Sequence, residues 1–256
     1  MIHEARMVVE AGNFPKYEHV LVDEIQDFGL EALRLVKALS PGDSAAPNPL
    51  FVVGDGHQRI YKSSIPLSRA GIDVRGRSRR LQINYRTTEQ IRGFAQQLLE
   101  GVDVDDLDGS AVITAGDRSM FKGREPEVHR FSTADEEARA MADWVKQLID
   151  SGAYQSHEIC VSPATQRIRA SLKTTGLQQL ELQSTDSDPA DSEKGVRLGT
   201  MQRIKGLEFK AVALGLFNDA GIATEGNPLQ ERRRRSLHYV AATRARERLL
   251  VCVRDS

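Results

Sequence analysis

Apolar residues come in short runs along this chain, and polar punctuation divides them into strands and helices. Val20, Leu21 and Val22 form an apolar run that suits a buried strand over 19–22. Leu30, Leu33, Val36 and Leu39 recur near helical spacing and predict a helix over 29–39, ended by Pro41 and Gly42. Segment 43–49 is rich in Asp, Ser, Ala, Pro and Asn and reads as a loop. A strand over 50–53 runs into Gly54-Asp55-Gly56, and the polar stretch 62–79 reads as a hinge between two lobes. A strand over 81–83 precedes a helix from Thr87 or Thr88 to Leu99, with Thr87 and Gln90 as a capping box and Gly101 as its stop. Residues 101–124 are acidic and glycine-rich, a loop with room for one short strand at 111–114.

The second half alternates more plainly. A strand over 127–131 leads to a helix opened by the capping pair Thr133 and Glu136, with Ala138, Met141, Val145, Leu148 and Ile149 as its apolar face and Gly152 at its end. There follow a strand over 158–162, a helix over 164–174, a polar loop at 183–195, strands over 196–200 and 210–217, a helix over 229–244 and a strand over 248–253. Such alternation predicts an α/β fold, a mostly parallel sheet with helices on both faces.

Composition bounds the picture without deciding it. The 256 residues suffice for one large or two modest domains, and 40% hydrophobic with 28% charged residues is ordinary for a globular protein. The net charge of −1 does not advertise nucleic-acid binding. Basic residues do cluster, at Arg75, Arg77, Arg79 and Arg80, at Arg232 to Arg235, and at Arg244, Arg246 and Arg248. Such clusters suit either phosphate or a solvated face. Cys160 and Cys252 sit in apolar runs and read as small buried hydrophobes. His57 and His238 lack metal-ligand spacing. No apolar run approaches the roughly 18 residues of a membrane span, and the N-terminus carries no apolar signal region. A reducing cytoplasm, with no membrane partner, is the expectation.

The chemistry concentrates in Val20-Leu21-Val22-Asp23-Glu24-Ile25-Gln26-Asp27. Two adjacent carboxylates emerge where a buried strand ends, the position at which open α/β sheets bind ligands. One acid there suits Mg²⁺ and the other suits polarising a water. The plainer alternative is an acidic turn in which Asp23 or Asp27 caps the following helix.

This octapeptide resembles the Walker B motif of superfamily 1 DNA helicases of the UvrD/Rep type, and further stretches follow in that family's order. Val53-Gly54-Asp55-Gly56-His57-Gln58-Arg59-Ile60-Tyr61 resembles motif III and Leu81-Gln82-Ile83-Asn84-Tyr85-Arg86-Thr87 resembles motif IV. Gly199-Thr200-Met201-Gln202-Arg203-Ile204-Lys205-Gly206-Leu207-Glu208-Phe209 resembles motif V. Tyr239-Val240-Ala241-Ala242-Thr243-Arg244-Ala245-Arg246-Glu247-Arg248-Leu249 resembles motif VI.

The resemblance implies a RecA-like fold of the P-loop NTPase type, with 1–70 as the end of a first lobe and 71–256 as the second, lacking the family's 2B insert. It implies ATP and Mg²⁺ between the lobes and single-stranded or partly duplex DNA as substrate, unwound by an ATP-dependent helicase. Asp23 would hold the metal and Glu24 would activate water. Gln58 would sense the γ-phosphate, with Gln26 in the same coupling. Tyr85 would stack on adenine, Glu208 would bind the ribose and Gly206 would allow close backbone approach. Arg86 and Arg244 would reach the γ-phosphate. They are expected on one shared face, at the carboxyl ends of adjacent strands or on the helices that follow, open to solvent. Thr200 would touch the DNA backbone. Gln202, where the family often has His, can contact phosphate or base.

Nothing in the sequence fits Gly-x-x-x-x-Gly-Lys-Ser/Thr, the loop that cradles the β- and γ-phosphates. The expectation is therefore the C-terminal part of a helicase, inactive alone and needing an N-terminal helicase region. The alternatives are a non-catalytic helicase-like regulatory or interaction module and, with fewer acids than it needs, a Mg²⁺-dependent nuclease.

Overall fold

The structure is a computed structural model and describes residues 1–14, 17–40, 48–60, 65–102, 107, 116–182, 194–217 and 228–254. Two compact units divide the chain. One comprises Met1–Leu81 with Asp103–Ala115, the other Gln82–Val102 with Gly116–Ser256.

The first unit contains helix α1 (Ile2–Glu10), strand β1 (Val20–Val22), helix α2 (Leu30–Leu39) and strand β2 (Leu50–Val52). The two strands pair in parallel, Val20 beside Leu50 and Val22 beside Val52. Ile25, Leu33, Leu67, Ala70, Ile72 and Leu107 form its core. Leu67, Ala70 and Ile72 are buried there, so this unit reaches Leu81 rather than stopping near residue 70, and the described part of the expected hinge belongs to it. The α2 N-cap is Gly29, with no side-chain cap. Neither Asp23 nor Asp27 caps that helix.

The second unit opens with β3 (Ile83–Thr88), α3 (Glu89–Gln97) and β4 (Arg118–Phe121). It continues with β5 (Glu127–Phe131), α4 (Ala134–Asp150), β6 (Ile159–Ser162), α5 (Gln166–Thr174) and β7 (Gln179–Glu181). It ends with β8 (Val196–Leu198), β9 (Phe209–Phe217), α6 (Pro228–Ala242) and β10 (Ala245–Arg254). Six strands form one sheet in the order β5-β10-β9-β6-β8-β7, and every pair in it is parallel. Strands β3 and β4 form a separate parallel pair.

Parallel sheets are covered on both faces, which is why their strands read as unbroken apolar runs. Ile159, Val161, Ala211, Ala213, Leu250 and Cys252 pack with residues of α4 and α5. Their neighbours Cys160, Val212, Leu214, Leu249 and Val251 pack with residues of α3 and α6. The two cysteines thus lie on opposite faces. Burial pushes both thiols up, that of Cys252 to about 12.

The capping pair on α4 is present as the sequence predicts. Thr133 Oγ1 accepts from the Glu136 amide at 3.2 Å, and Glu136 Oε2 accepts from the Thr133 amide at 3.1 Å. The cap on α3 falls one residue later than predicted. Thr88 Oγ1 accepts from the Ile91 amide at 3.4 Å, while Gln90 Oε1 takes the Gly123 amide at 2.8 Å. Helix α1 and strands β4 and β7 are additional to the predicted elements. Most of the loops predicted at 43–49 and 183–195, and the strand at 111–114, lie outside the described residues. Among the described residues no helix is long and apolar enough to cross a membrane.

Candidate functional site

In the first unit, Asp23 and Glu24 follow the carboxyl end of β1 and are exposed. Glu24 takes a left-handed backbone (φ 51°), a conformation costing a non-glycine residue about 1–2 kcal/mol and met often at functional turns. Asp23 Oδ1 accepts from the Glu24 amide at 2.8 Å. Gln26 is buried and joins two turns. Its Nε2 donates to Glu24 Oε2, and its Oε1 accepts from the Asp55 amide at 3.1 Å. That contact requires Gly54, because a Cβ there would sit 2.6 Å from Gln26 Oε1.

Asp55 extends the chain of contacts. Its Oδ1 accepts from the His57 amide at 2.9 Å and its Oδ2 from Gln58 Nε2 at 3.0 Å. Burial pushes the Asp55 carboxyl up, but the hydrogen bonds from His57 and Gln58 outweigh it and hold the carboxyl below its ordinary value. Sequence reasoning gave Asp55 no role, although its place between two glycines of a resembling motif was a signal.

Asp23 and Glu24 fit Mg²⁺ in one specific sense. Among the described residues no three His, Cys, Asp or Glu side chains gather as a metal cage. Mg²⁺ commonly needs only one or two carboxylates beside phosphate oxygens and waters, and Asp23 offers an exposed carboxylate of that kind.

In the second unit, the residues expected around the nucleotide gather at the amino ends of β9 and β10. Glu208 immediately precedes β9 and Arg244 immediately precedes β10, joined by the Phe209 amide donating to Arg244 O at 3.0 Å. Arg86 Nε lies 2.6 Å from Glu208 Oε1. A cavity of about 480 Å³ is lined by Asn84, Tyr85, Arg86, Glu208 and Arg246. Tyr85 is 63% exposed at its wall. The ladder of β3 and β4 is irregular between Asn84 and Thr88. There Asn84 Oδ1 takes the amides of Arg86 at 2.7 Å and Thr87 at 3.0 Å, supplying acceptors where the ladder does not.

Arg244 corrects the expectation on two counts. It stands at an amino end of the sheet, not a carboxyl end, because it lies between α6 and the start of β10. It is also 1% exposed rather than open. Its Nε donates to Val240 O at 3.0 Å, its Nη2 to Thr243 Oγ1 at 3.2 Å and its Nη1 to Leu207 O at 3.5 Å. The cause is local. The last carbonyls of a helix lack intrahelical donors, and an arginine just past the end folds back to supply them. Arg86 and Arg244 do share one end of the unit, through Glu208 and its neighbour Leu207.

Gly206 has φ +85°, with no atom within 4 Å of an added Cβ. The left-handed turn asks for glycine there; no close approach within the chain does. Thr200 follows the carboxyl end of β8, exposed, with its Oγ1 taking the Arg203 amide at 3.2 Å. Gln202 is exposed two residues further on. These two lie toward the opposite end of the sheet from Glu208. Of the basic clusters, Arg75 is tied to Asp73, Arg234 and Arg235 to Glu231, and Arg248 to Glu127.

Two family models match the chain. The UvrD/REP helicase N-terminal domain matches residues 8–63 and the UvrD-like helicase C-terminal domain matches residues 162–256. DNA helicase IV of Escherichia coli (strain K12) is 33% identical over 106 residues, which is 39% of this chain and 15% of that protein. The chain thus spans a small fraction of this relative. Among solved structures, the C-terminal domain of a possible DNA helicase from Lactobacillus plantarum WCFS1 is 21% identical, with a TM-score of 0.46, covering 68% of this chain and 89% of that one.

Proposed function

With its two stretches matching the N- and C-terminal domains of UvrD-type helicases, the chain belongs to the UvrD/Rep family, and we propose that it is the ATP-coupling and DNA-binding part of an ATP-dependent DNA helicase. The observation that carries this reading is the convergence of the adjacent Tyr85 and Arg86 with Glu208, distant from them in sequence, on one cavity. An aromatic wall suits a nucleobase, an acid suits a ribose hydroxyl, and a guanidinium suits the spread charge of a transferring phosphoryl group.

The first unit supplies the hydrolytic groups. Glu24 takes the proton of the attacking water, and the hydrogen bond from Gln26 orients it. Gln58, held by Asp55, responds to the γ-phosphate. Asp23 is the carboxylate that would hold Mg²⁺, which when bound neutralises phosphate charge. Thr200 and Gln202 receive the backbone of single-stranded or partly duplex DNA, and hydrolysis drives movement along it. The phosphate loop, which this sequence lacks, is supplied by an N-terminal helicase region. Arg244, as placed here, positions Leu207 and Glu208 from behind.

Two measurements on the chain test this. A labelled single-stranded oligonucleotide should bind with salt-dependent affinity, weakened in Thr200→Ala and Gln202→Ala and unchanged in Glu24→Gln; no binding at low salt refutes the DNA assignment. Phosphate release from ATP should be absent with or without DNA. Turnover near ~1 s⁻¹, within the usual enzyme range, would overturn the need for a separate phosphate loop.

A further inference from the structure

The cavity at the amino ends of β9 and β10 contains a cation that the family's motifs leave without a role. Arg246, the second residue of β10, is exposed and lines the cavity with Arg86, Tyr85, Asn84 and Glu208. Arg86 is committed to Glu208 at 2.6 Å. Arg246 makes no ion pair among the described residues. The lining therefore carries two guanidinium groups against one carboxylate, an excess of one positive charge. Guanidinium groups stay charged at any ordinary pH and repel one another, so gathering two of them around a cavity is favourable when an anion enters.

Arg246, and not Arg244, faces the cavity. Arg244 spends its guanidinium on carbonyls at the end of α6 and on Leu207, whereas Arg246 lies where the β10 ladder is irregular, between Ala245 and Arg248, and is exposed.

We propose that Arg246 is a phosphate-binding residue of the nucleotide site. It receives the polyphosphate first, because it has no carboxylate to give up. Arg86 then joins by exchanging Glu208 for a phosphate oxygen, which releases Glu208 toward the ribose. This rests on the nucleotide reading above and adds to it the residue that meets the charged end of the ligand.

The experiment is a calorimetric titration of the chain with ATP, with inorganic tripolyphosphate and with adenosine, at low salt. The variants are Arg246→Ala, Arg246→Lys, Arg86→Ala and, as a charge-matched control, Lys146→Ala on α4. Arg246→Ala should weaken ATP and tripolyphosphate by about tenfold, the loss of roughly one charge-assisted hydrogen bond, and leave adenosine unchanged. Arg246→Lys should recover part of the affinity, and Lys146→Ala should bind as the wild type does. ATP affinity within twofold of wild type in Arg246→Ala, alongside a loss in Arg86→Ala, overturns the role of Arg246 and leaves the nucleotide site standing. An equal loss for adenosine overturns it as well, because it marks a structural effect. A wild-type chain that binds neither ATP nor tripolyphosphate at millimolar concentration overturns the nucleotide reading and this inference together.

Discussion

Replacing Arg244 by alanine should destabilise the second unit far more than replacing Arg86, although the resembling motifs give both the same task. Arg244 is 1% exposed, so truncation removes two buried methylenes, Cγ and Cδ, worth about 1.6 kcal/mol. It also removes two hydrogen bonds of ordinary length, to Val240 O at 3.0 Å and Thr243 Oγ1 at 3.2 Å, at about 1 kcal/mol each. Relief of a buried charge works in the other direction, leaving a net loss of about 3 kcal/mol. Arg86 and Glu208 are both well exposed, and such a pair contributes under about 1 kcal/mol. The chain offers a clean probe. Trp144 is its single tryptophan, 7% exposed in the core of the second unit, so its fluorescence follows that unit alone. With a urea m-value of about 2 kcal/mol per molar, Arg244→Ala should lower the Trp144 midpoint by about 1.5 M and Arg86→Ala by under about 0.5 M. Equal midpoints for the two variants would refute the view that Arg244 is a buried brace.

Other residues make independent predictions. Gly215→Ala would place a Cβ 2.8 Å from Glu137 Oε1 and 3.3 Å from Met141 Cε. It should cost about 1–3 kcal/mol, read from the same fluorescence midpoint; an unchanged midpoint would mean that Glu137 moves aside freely. Thr133→Ala removes the α4 cap and should cost about 1 kcal/mol, with far-ultraviolet circular dichroism at low denaturant unchanged. Burial raises the Glu137 carboxyl, opposed by Arg254. The folded state therefore holds that proton more tightly than the unfolded chain. This contribution to stability is complete below the ordinary carboxylate range and fades as pH rises through the raised folded value. Glu137→Gln should flatten the corresponding decline in the Trp144 midpoint, and an identical pH profile for the variant would count against it.

Much of the fold was legible in the sequence because burial on both faces leaves a strong mark. The runs at 127–131, 158–162 and 210–217 return as β5, β6 and β9 within a residue of their predicted bounds, and the capping pair Thr133 and Glu136 opens α4. What escaped was weakly patterned. Helix α1 buries only Val9, so it carries little periodic signal. Strand β4 keeps Arg118, Met120 and Phe121 exposed. Two adjacent threonines can each cap α3, and the one used is Thr88, the last residue of β3 and the one directly before the helix. The motifs singled out Tyr85, Arg86 and Glu208, which the structure gathers on one cavity. They could not say that the end of α6 would claim Arg244, since that depends on unpaired carbonyls that exist only once the helix has formed. Nor could they say that Arg246, in the irregular stretch between Ala245 and Arg248, would be exposed at the cavity instead.

Segment 199–208 links the two ends of this unit. Strand β6 pairs with β8 through Val161 and Leu198 and with β9 through Val161 and Ala213. Leu198 therefore stands level with Ala213, four strand residues beyond Phe209, a distance of about 13 Å along the sheet. The chain returns over that distance without an α-helix, crossing β6 on the face where Met201 and Ile204 pack in one cluster with Cys160. The Ile204 amide donates to Thr200 O at 3.1 Å and the Leu207 amide to Ile204 O at 3.2 Å, and Arg244 takes Leu207 O from the far side. On the proposed function, Thr200 meets DNA at one end of this stretch and Glu208 meets nucleotide at the other. Communication then needs no long relay of side chains, because one short peptide held by a fully buried isoleucine carries both groups. Such a connection transmits a displacement only if it has two arrangements. Gly206 in its left-handed turn and the Arg86–Glu208 pair are the places where it could change, the first by rotating the backbone and the second by exchanging a carboxylate for phosphate.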